Sequence, residues 1–309
     1  MKLDNVLVLG GSGFIGRHLV AALAARAIRV TVPSRHRERA KHLILLPTVD
    51  VVETDIMAPG VLEALVRDKQ AVINLVGVLH GPGFERMHVE VPQAIVAACR
   101  AKGVRRLVHL SALGVSPDAP SDYLRSKAMG EQAVLAAEDL EVTVFRPSVV
   151  FGPEDRFLNT FAKLARFFPV LPIGCPNARF QPVYVGDVAH AILRALDEPD
   201  SHGKAYELCG PSEYTLRHLV EFVCRVTGRN RLIVPLPDGL SYAQAFVMEK
   251  LPGKLVTRDN YRSMQVPSVC SGAFPFHIQP QALEAVAPTY LAPTGPRERY
   301  PQLRWRARR

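Results

Sequence analysis

The chain reads Val6-Leu7-Val8-Leu9-Gly10-Gly11-Ser12-Gly13-Phe14-Ile15-Gly16 near its amino terminus, an apolar run that breaks into a glycine-rich turn. An apolar run this short is typical of a strand buried on both faces of a parallel sheet. The glycines supply, in order, a sharp turn, close approach of the backbone to a pyrophosphate and close packing of a helix. Free N–H groups at the start of that helix would face the phosphates. The residues predicted to contact a dinucleotide here are Gly10, Ser12, Gly13, Phe14, Ile15 and Gly16.

Short apolar runs and amphipathic stretches alternate beyond this turn, which indicates repeated strand–helix units with right-handed crossovers. We therefore expect an α/β fold, a doubly wound parallel sheet of Rossmann type. Strands are predicted near 6–9, 30–32, 49–52, 72–76, 107–110 and 142–145, and helices near 16–26, 61–67, 89–102 and 126–138.

The second part of the chain is predicted to be a smaller C-terminal α/β lobe. Residues 1–170 are expected to form the dinucleotide-binding domain, and residues 171–309 the smaller lobe with a basic tail, the two interleaving. Beyond residue 235 the sequence is rich in proline and lacks clear periodicity, so this final stretch is expected to wrap the surface.

Composition limits the classes of protein that the chain can belong to. With 48% hydrophobic and 22% charged residues it fits an ordinary globular protein. No run of about 18 apolar residues is free of charge, glycine or proline, so we expect no membrane-spanning helix and a cytoplasmic location. The five cysteines are scattered and form no Cys-x-x-Cys pair, so we predict that they are reduced and that no metal is bound.

The formal net charge of +9 favours an anionic ligand, an acidic partner or an anionic membrane surface. Nucleic acid is not expected, because the body of the chain has no basic stripe with interleaved aromatic residues. The densest basic cluster, Arg297 to Arg309 around Trp305, is interpreted either as a solvated tail or as a contact with a membrane or partner subunit. In the second case the protein would lie at the inner face of the membrane.

The end of the second strand bears on the choice of cofactor. An acidic residue there would bind the ribose hydroxyls of NAD, but this chain has Ser34 followed by Arg35, with Arg37 close behind. Guanidinium groups can hold a 2′-phosphate, so we predict that NADP(H) is preferred over NAD(H). The alternative is that these arginines are only a charged helix start. Further contacts are predicted after the third and fourth strands, from Asp55, Ile56, Leu75, Val76 and Gly77.

Tyr123 and Lys127 are four residues apart, which places a phenol and an ammonium on one face of a helix. The charge of Lys127 would lower the pKa of Tyr123 toward a useful range, and the lysine could also hold a ribose. Ser111, at the end of the fifth strand, could orient a substrate oxygen. The three are the predicted catalytic residues. The alternative is an exposed helix in which Lys127 pairs with Glu131.

On these motifs the chain resembles the short-chain dehydrogenase/reductase superfamily in its extended form. The resemblance implies that Pro147, Ser148, Val149 and Val150 pack beside the nicotinamide. More narrowly, residues 146–157 and 181–189 look like the atypical branch that contains the NADPH-holding accessory subunit of respiratory complex I and its bacterial relatives. That likeness implies tight NADPH binding without established turnover.

Two departures from the extended pattern make a sugar-nucleotide epimerase improbable. Ser111 is followed by Ala112, Leu113 and Gly114 where extended enzymes usually carry a second hydroxyl, and the segment from Ser111 to Tyr123 is short. Two hypotheses remain, a redox protein that passes hydride to or from a small or quinone-like carbonyl substrate, and a non-catalytic NADPH-holding subunit of a respiratory-type complex. Helices of this fold often pair between protomers, so an oligomer is compatible with the sequence.

Overall fold

The structure, a computed structural model, describes residues 3–79, 83–251 and 256–292. In chain order its strands are β1 (Asn5–Leu9), β2 (Arg29–Ser34), β3 (Val49–Glu53), β4 (Ala71–Asn74), β5 (Arg106–Leu110), β6 (Glu141–Pro147), β7 (Val150–Phe151), β8 (Val170–Ile173), β9 (Arg179–Phe180), β10 (Val183–Tyr184), β11 (Lys204–Leu208), β12 (Tyr214–Thr215) and β13 (Leu232–Pro235). The centre is a seven-stranded sheet in the order β11-β6-β5-β4-β1-β2-β3, and its neighbouring strands are all parallel.

The helices follow the strands as crossover connections and as elements of the second lobe. They are α1 (Phe14–Ala25), α2 (Lys41–Ile44), α3 (Val61–Val66), α4 (Val91–Lys102), α5 (Asp122–Leu135), α6 (Leu158–Phe167), α7 (Val185–Ala195), α8 (Leu216–Val226), α9 (Asp238–Lys250), α10 (Arg258–Ser263), α11 (Leu283–Val286) and α12 (Pro288–Leu291). A π-helical turn, Arg86–Glu90, leads directly into α4. The predicted doubly wound parallel sheet is confirmed.

The apolar run of β1 explains why helices cover both faces of the sheet. Val6 and Val8 are fully buried in a cluster with α1 and α7, whereas Leu7 and Leu9 are fully buried in a second cluster with α3 and α4. Because successive side chains of a strand point to opposite faces, a continuous apolar run needs an apolar layer on each side. The sheet is therefore the middle layer of three.

The second lobe has its own apolar core, and the later part of the chain also adds one strand to the central sheet. α6, α8, β8 and β9 contribute to this core, and β13 pairs with β8. β11, which the sequence places beyond residue 170, lies beside β6 in the central sheet. α9 lies in the stretch that lacks clear periodicity in the sequence, because only its small residues Ser241 and Ala245 are buried. The domain boundary at residue 170 stays a prediction.

One prediction about the cysteines is wrong. Cys209 and Cys270 form a disulfide with a Cα–Cα separation of 6.0 Å, across 61 residues of sequence. Folding places the end of β11 beside a late segment, and sequence spacing gave no sign of that proximity. Cys99, Cys175 and Cys224 are free and buried, as small apolar residues would be.

Two features of the described residues are relevant to membrane and metal binding. None of the helices in the described ranges is long and apolar enough to cross a bilayer. Within the same ranges no group of three or more histidine, cysteine or acidic side chains is arranged to hold a metal ion. The basic cluster around Trp305 lies outside the described residues.

Candidate active site

The turn after β1 lies at the carboxyl edge of the sheet. Gly10 has φ +79°, in the left-handed region that favours glycine, and a Cβ there would lie 3.0 Å from the backbone of Leu75. A Cβ on Gly16 would overlap the carbonyl oxygen of Gly10, so only glycine allows the helix to sit this close. Gly13 is the N-cap residue that precedes α1, and no described side chain caps this helix start. Its first N–H groups are therefore open to an anion.

The segment after β4 meets this turn on one side and α5 on the other. The Asn74 side chain accepts a hydrogen bond from the Val76 N–H at 3.0 Å, which fixes the exit from the strand. A Cβ on Gly77 would lie 3.2 Å from Nζ of Lys127. The structure thus brings Leu75, Val76 and Gly77 between the glycine turn and the lysine. Ser12, Phe14 and Ile15 are half-buried beside the same turn.

Ser34 ends β2, and Arg35 and Arg37 follow it in exposed positions. The Ser34 hydroxyl donates to the carbonyl oxygen of His36 at 3.0 Å, which closes a tight local turn. Neither Arg35 nor Arg37 forms an ion pair with any described residue. Both guanidinium groups are therefore available to an anion near the end of β2.

Asp55 and Ile56 follow β3 at the same edge of the sheet. The Asp55 carboxylate accepts from the Met57 N–H at 3.0 Å, and its second oxygen lies 4.0 Å from a guanidinium nitrogen of Arg86. Ile56 packs against the apolar cluster that contains Leu7 and Leu9. Local hydrogen bonding thus holds this carboxylate at the loop, and the side chain is about half exposed.

The predicted catalytic pair lies on α5, whose amino-terminal end is held in two ways. The Ser121 hydroxyl accepts from the Leu124 N–H, while Asp259 of α10 accepts from the N–H groups of Asp122 and Tyr123 at 2.7 and 3.2 Å. An acidic group at this end also interacts favourably with the helix dipole. Asp259, which sequence reasoning missed, therefore ties the second lobe to the turn that carries Tyr123.

Lys127 is buried, and its Nζ donates to the carbonyl oxygen of Leu110 at 3.0 Å. Glu131, its expected partner in the exposed-helix alternative, is buried and pairs with Arg146 of β6 instead. That alternative is therefore wrong. Lys127 faces the end of β5, and Ser111 follows Leu110 in the chain. The structure brings the lysine and the loop that carries Ser111 together.

His88 is a second residue of this site that sequence reasoning missed. Its Nε2 accepts from the Val78 N–H at 3.0 Å, and its Nδ1 lies 2.9 Å from the Ser126 hydroxyl, which donates to the Tyr123 carbonyl at 3.0 Å. This pattern requires the neutral ring with the proton on Nδ1. The ring stacks on Phe84 and meets Tyr123 edge to face. A lone histidine near a predicted helix start gives no sign of this hydrogen-bond chain, which runs from Val78 through His88 and Ser126 to the Tyr123 carbonyl.

Close packing of α5 on the π-helical turn brings His88 within hydrogen-bond distance of Ser126. A Cβ on Gly130 would overlap the carbonyl oxygen of His88, so any larger residue would separate the two elements. π-helical turns occur mostly as local features and often at functional sites. Gly130 and the turn Arg86–Glu90 together place the imidazole under the Tyr123 ring.

Burial dominates the electrostatics of the site. It raises the pKa of the Tyr123 phenol to about 12, and it lowers the pKa of Lys127 to about 8, although Glu131 opposes the second shift. The expectation that Lys127 lowers the pKa of Tyr123 is therefore wrong for this structure. Burial, followed by the charge of Lys127, also lowers the pKa of His88 and of His109 to about 3. Tyr123 is thus a protonated phenol at neutral pH.

Two buried polar atoms beside Lys127 have no partner among the described residues. They are Oγ of Ser111 and Nε2 of His109, and the other ring nitrogen of His109 lies 3.1 Å from the Asn74 amide. Unpartnered buried polar atoms are rare, and each points to a missing ligand or water. Together with the open helix start and the glycine turn, they fit a nicotinamide dinucleotide and a polar substrate atom.

The segment from Pro147 to Val150 runs next to the Ser111 loop, because the Leu113 N–H donates to the Pro147 carbonyl at 3.0 Å. Its serine is already engaged, since Oγ of Ser148 donates to the Ser268 carbonyl at 2.7 Å. Pro147 and Ser148 are buried, and Val149 and Val150 are half-buried. A role for Ser148 beside the nicotinamide stays a prediction. Its backbone would make the contact, because its hydroxyl is bonded to Ser268.

Comparison with known proteins agrees with this architecture. Residues 6–209 match the model of the NAD dependent epimerase/dehydratase family. Among solved structures, UDP-glucuronic acid 4-epimerase from Bacillus cereus, in complex with UDP-glucuronic acid and NAD, has a TM-score of 0.67 at 19% identity and covers 86% of this chain and 95% of its own. At that identity the likeness shows the fold alone.

Two curated relatives carry names of different kinds. "NADH dehydrogenase [ubiquinone] 1 alpha subcomplex subunit 9, mitochondrial" of Mus musculus is 37% identical over 239 residues, 74% of this chain and 63% of its own length. "Ceramide reductase" of Caulobacter vibrioides is 30% identical over 246 residues, 78% of this chain and 77% of its own length. The match spans less than two thirds of the mouse protein. By the family model and by these relatives, the chain belongs to the NAD dependent epimerase/dehydratase family of short-chain dehydrogenase/reductase-like proteins.

Proposed function

We propose that this protein binds NADP(H) and passes hydride to or from a small or quinone-like carbonyl substrate. The observation that carries the proposal is that buried Lys127, on the same helix as Tyr123, contacts the end of β5, and that Ser111 follows there with an unpartnered hydroxyl. A bound nicotinamide dinucleotide would supply or accept the hydride. The chain's own residues would bind, orient and protonate the reacting oxygen.

Each of the three side chains has a distinct part in this proposal. Tyr123, whose pKa is raised to about 12, keeps its proton at neutral pH and can donate it to a carbonyl oxygen that becomes an alcohol oxygen. Ser111 donates a second hydrogen bond that orients the same oxygen. Lys127, whose Nζ lies on the Leu110 carbonyl and close to Gly77, would hold the ribose of the bound dinucleotide.

The preference for NADP(H) rests on Arg35 and Arg37. Both are exposed near the end of β2 and lack ion-pair partners among the described residues, and that strand end carries no carboxylate. A charge-assisted hydrogen bond to a 2′-phosphate contributes about 1.5–3 kcal/mol. Arg35→Ala is therefore expected to lower the ratio of NADPH to NADH affinity about tenfold or more in titration calorimetry. Arg39→Ala, which changes an exposed arginine four residues further along the chain, is the matched control, and an unchanged ratio in Arg35→Ala refutes the assignment.

Turnover is tested with Tyr123→Phe, assayed with NADPH against a panel of carbonyl compounds and short-chain quinones. We expect activity to fall by at least about a hundredfold while NADPH affinity is retained, because only the proton donor is removed. Tyr242→Phe, on exposed α9, is the matched control and should keep full activity. Activity that survives in Tyr123→Phe would exclude the phenol as the acid.

The second candidate is a non-catalytic NADPH-holding subunit of a respiratory-type complex. It is favoured by Ala112, Leu113 and Gly114, which provide no second hydroxyl after Ser111, and by the name of the mouse relative. A peripheral position at the membrane, with a cytoplasmic location in the cell, belongs to the same proposal. NADPH that remains bound through gel filtration, and that no carbonyl compound of the panel oxidises, would establish this candidate over the first.

A further inference from the structure

α9 differs from an ordinary surface helix because it buries small residues and exposes large apolar ones. Its buried residues are small, Ser241 and Ala245, whereas the large apolar ones point outward. Leu240 and Val247 are 57% and 58% exposed and lie seven residues apart, on the same face. Leu251, which ends the helix, extends that stripe and is 54% exposed. Aggregated exposed apolar surface of this kind marks an interaction site.

A second exposed apolar group lies at the other end of β8. Phe167 and Phe168, at the end of α6, are 73% and 53% exposed, and Val170 and Leu232 follow on the paired strands β8 and β13. α9 adjoins the opposite end of β8, where Gln244 donates to the carbonyl oxygen of Pro172 at 2.9 Å. We call the set Phe167, Phe168, Leu240, Val247 and Leu251 the apolar face.

The segments that carry the second group are strongly basic. Residues 156–173 and 225–236 contain no aspartate or glutamate. Their basic residues are Arg156, Lys163, Arg166, Arg225, Arg229 and Arg231. None of them forms an ion pair with a described residue, although the structure has many such pairs elsewhere, such as Arg100 with Asp139. On Phe167 the Arg166 guanidinium lies 5.8 Å from the ring centre, and on Phe246 the Lys250 ammonium lies 4.3 Å away.

The apolar face could be covered by a second copy of the chain or by a lipid bilayer, and the charges beside it favour the bilayer. In a two-fold dimer that places the two α6–β8 ends against each other, a second copy would bring these unpaired cations together. A bilayer with anionic headgroups instead neutralises the cations while aromatic and aliphatic side chains enter the boundary between headgroups and acyl chains. We propose that the apolar face, with the cations beside its α6–β8 end, docks on an anionic lipid bilayer, with α9 lying in the plane of the membrane surface; this inference rests on the peripheral membrane position of the second candidate function.

The test is flotation of the full chain with vesicles of phosphatidylcholine, with and without about 30 mol % phosphatidylglycerol. The protein should float with the anionic vesicles, and added salt should weaken that binding. In Leu240→Gln/Val247→Gln we expect about tenfold weaker partitioning, because two apolar side chains are lost from the boundary. Ile44→Gln/Leu45→Gln, two exposed apolar residues of α2 and its end, is the matched control and should bind like the wild type.

Hydrogen exchange locates the contact independently of these variants. Anionic vesicles should protect the amides of α9 and of the α6–β8 turn in the wild-type protein. Three results would each overturn the proposal: no flotation with anionic vesicles, undiminished binding of Leu240→Gln/Val247→Gln, or a dimer without vesicles that this variant abolishes. The last would assign the apolar face to a second copy, and the first would leave a protein partner as its occupant.

Discussion

α5 and α9 depart from the ordinary pattern of a surface helix in opposite directions. α5 buries Lys127, Ser126 and Glu131, and each of these polar groups has a specific partner inside the protein. α9 buries only Ser241 and Ala245 and exposes large apolar side chains. Buried polar groups that are satisfied indicate an internal site, while exposed apolar groups without partners indicate an external one. The two helices thus separate the proposed chemistry from the proposed docking.

The largest difference between α5 and α9 is expected from one glycine substitution on each helix. Gly130→Ala on α5 would drive a methyl group into the His88 carbonyl, whereas Gly239→Ala on α9 meets nothing within 4 Å. We expect the first to lower the free energy of unfolding by about 3 kcal/mol or more and the second to change it by less than about 0.5 kcal/mol. Urea unfolding followed by circular dichroism measures both. Equal effects would mean that α5 is not packed as described.

A pair of valines probes the apolar sides of the same helices. Val134 of α5 is fully buried, and Val247 of α9 is 58% exposed. Val134→Ala should cost about 2 kcal/mol in urea unfolding, because methyl groups leave a packed core, and Val247→Ala should be within about 0.5 kcal/mol of the wild type. A cost in Val247→Ala similar to that in Val134→Ala would show that α9 is covered within the isolated chain.

Two acidic residues at the helix starts provide a smaller contrast. Asp259 accepts from two N–H groups at the start of α5, whereas Asp238, in the first turn of α9, caps no described group through its side chain. Asp259→Ala should cost about 1–2 kcal/mol and Asp238→Ala less than about 0.5 kcal/mol. If Asp259 positions Tyr123, Asp259→Ala should also lower kcat more than it changes the KM for NADPH. Asp259→Asn, which keeps one acceptor oxygen, should restore part of the activity.

The smallest expected effect is a change in pH dependence. Burial lowers the pKa of His88 to about 3, below its ordinary 6.5, so the unfolded chain binds a proton that the folded chain does not. The resulting stability is complete above about pH 6.5 and decreases as the pH falls toward 3. His88→Gln removes this contribution, so between about pH 6 and pH 5 its unfolding free energy should fall by up to about 1 kcal/mol less than that of the wild type. If the unfolding free energies of the wild type and of His88→Gln change in parallel with pH, His88 takes up a proton in the folded protein as readily as in the unfolded chain.

The sequence predicts the parts of this molecule whose signals are local. A short apolar run followed by spaced glycines predicts β1, the turn and α1, because burial on both faces and close helix packing leave traces within a few residues. Tyr123 and Lys127 are predicted as a catalytic pair from a local signal of the same kind, since they occupy one helix face. Arg35 follows from its position after β2.

The parts that were missed depend on contacts between distant segments. His88 becomes meaningful only when Gly130 allows α5 to approach it, and Asp259 acts on a helix start 137 residues away. The pKa of Tyr123 was predicted with the wrong sign, because the charge of Lys127 can be seen in the sequence and the extent of burial cannot. α9 has no recognisable apolar periodicity toward the core, since its large residues face away from it.

The disulfide Cys209–Cys270 turns a part of the second lobe into a covalent ring. It joins the end of β11 to the segment that holds Ser148, and α8, β13, α9 and α10 all lie between its two ends. In the loop-entropy model, a closure of this length restrains the unfolded chain by about 4 kcal/mol. A protease that cuts once inside the ring would leave the two fragments linked until a reductant separates them. In an uncut chain α9 stays joined to the sheet through the backbone, so reduction alone removes only the restraint that the ring places on the unfolded chain.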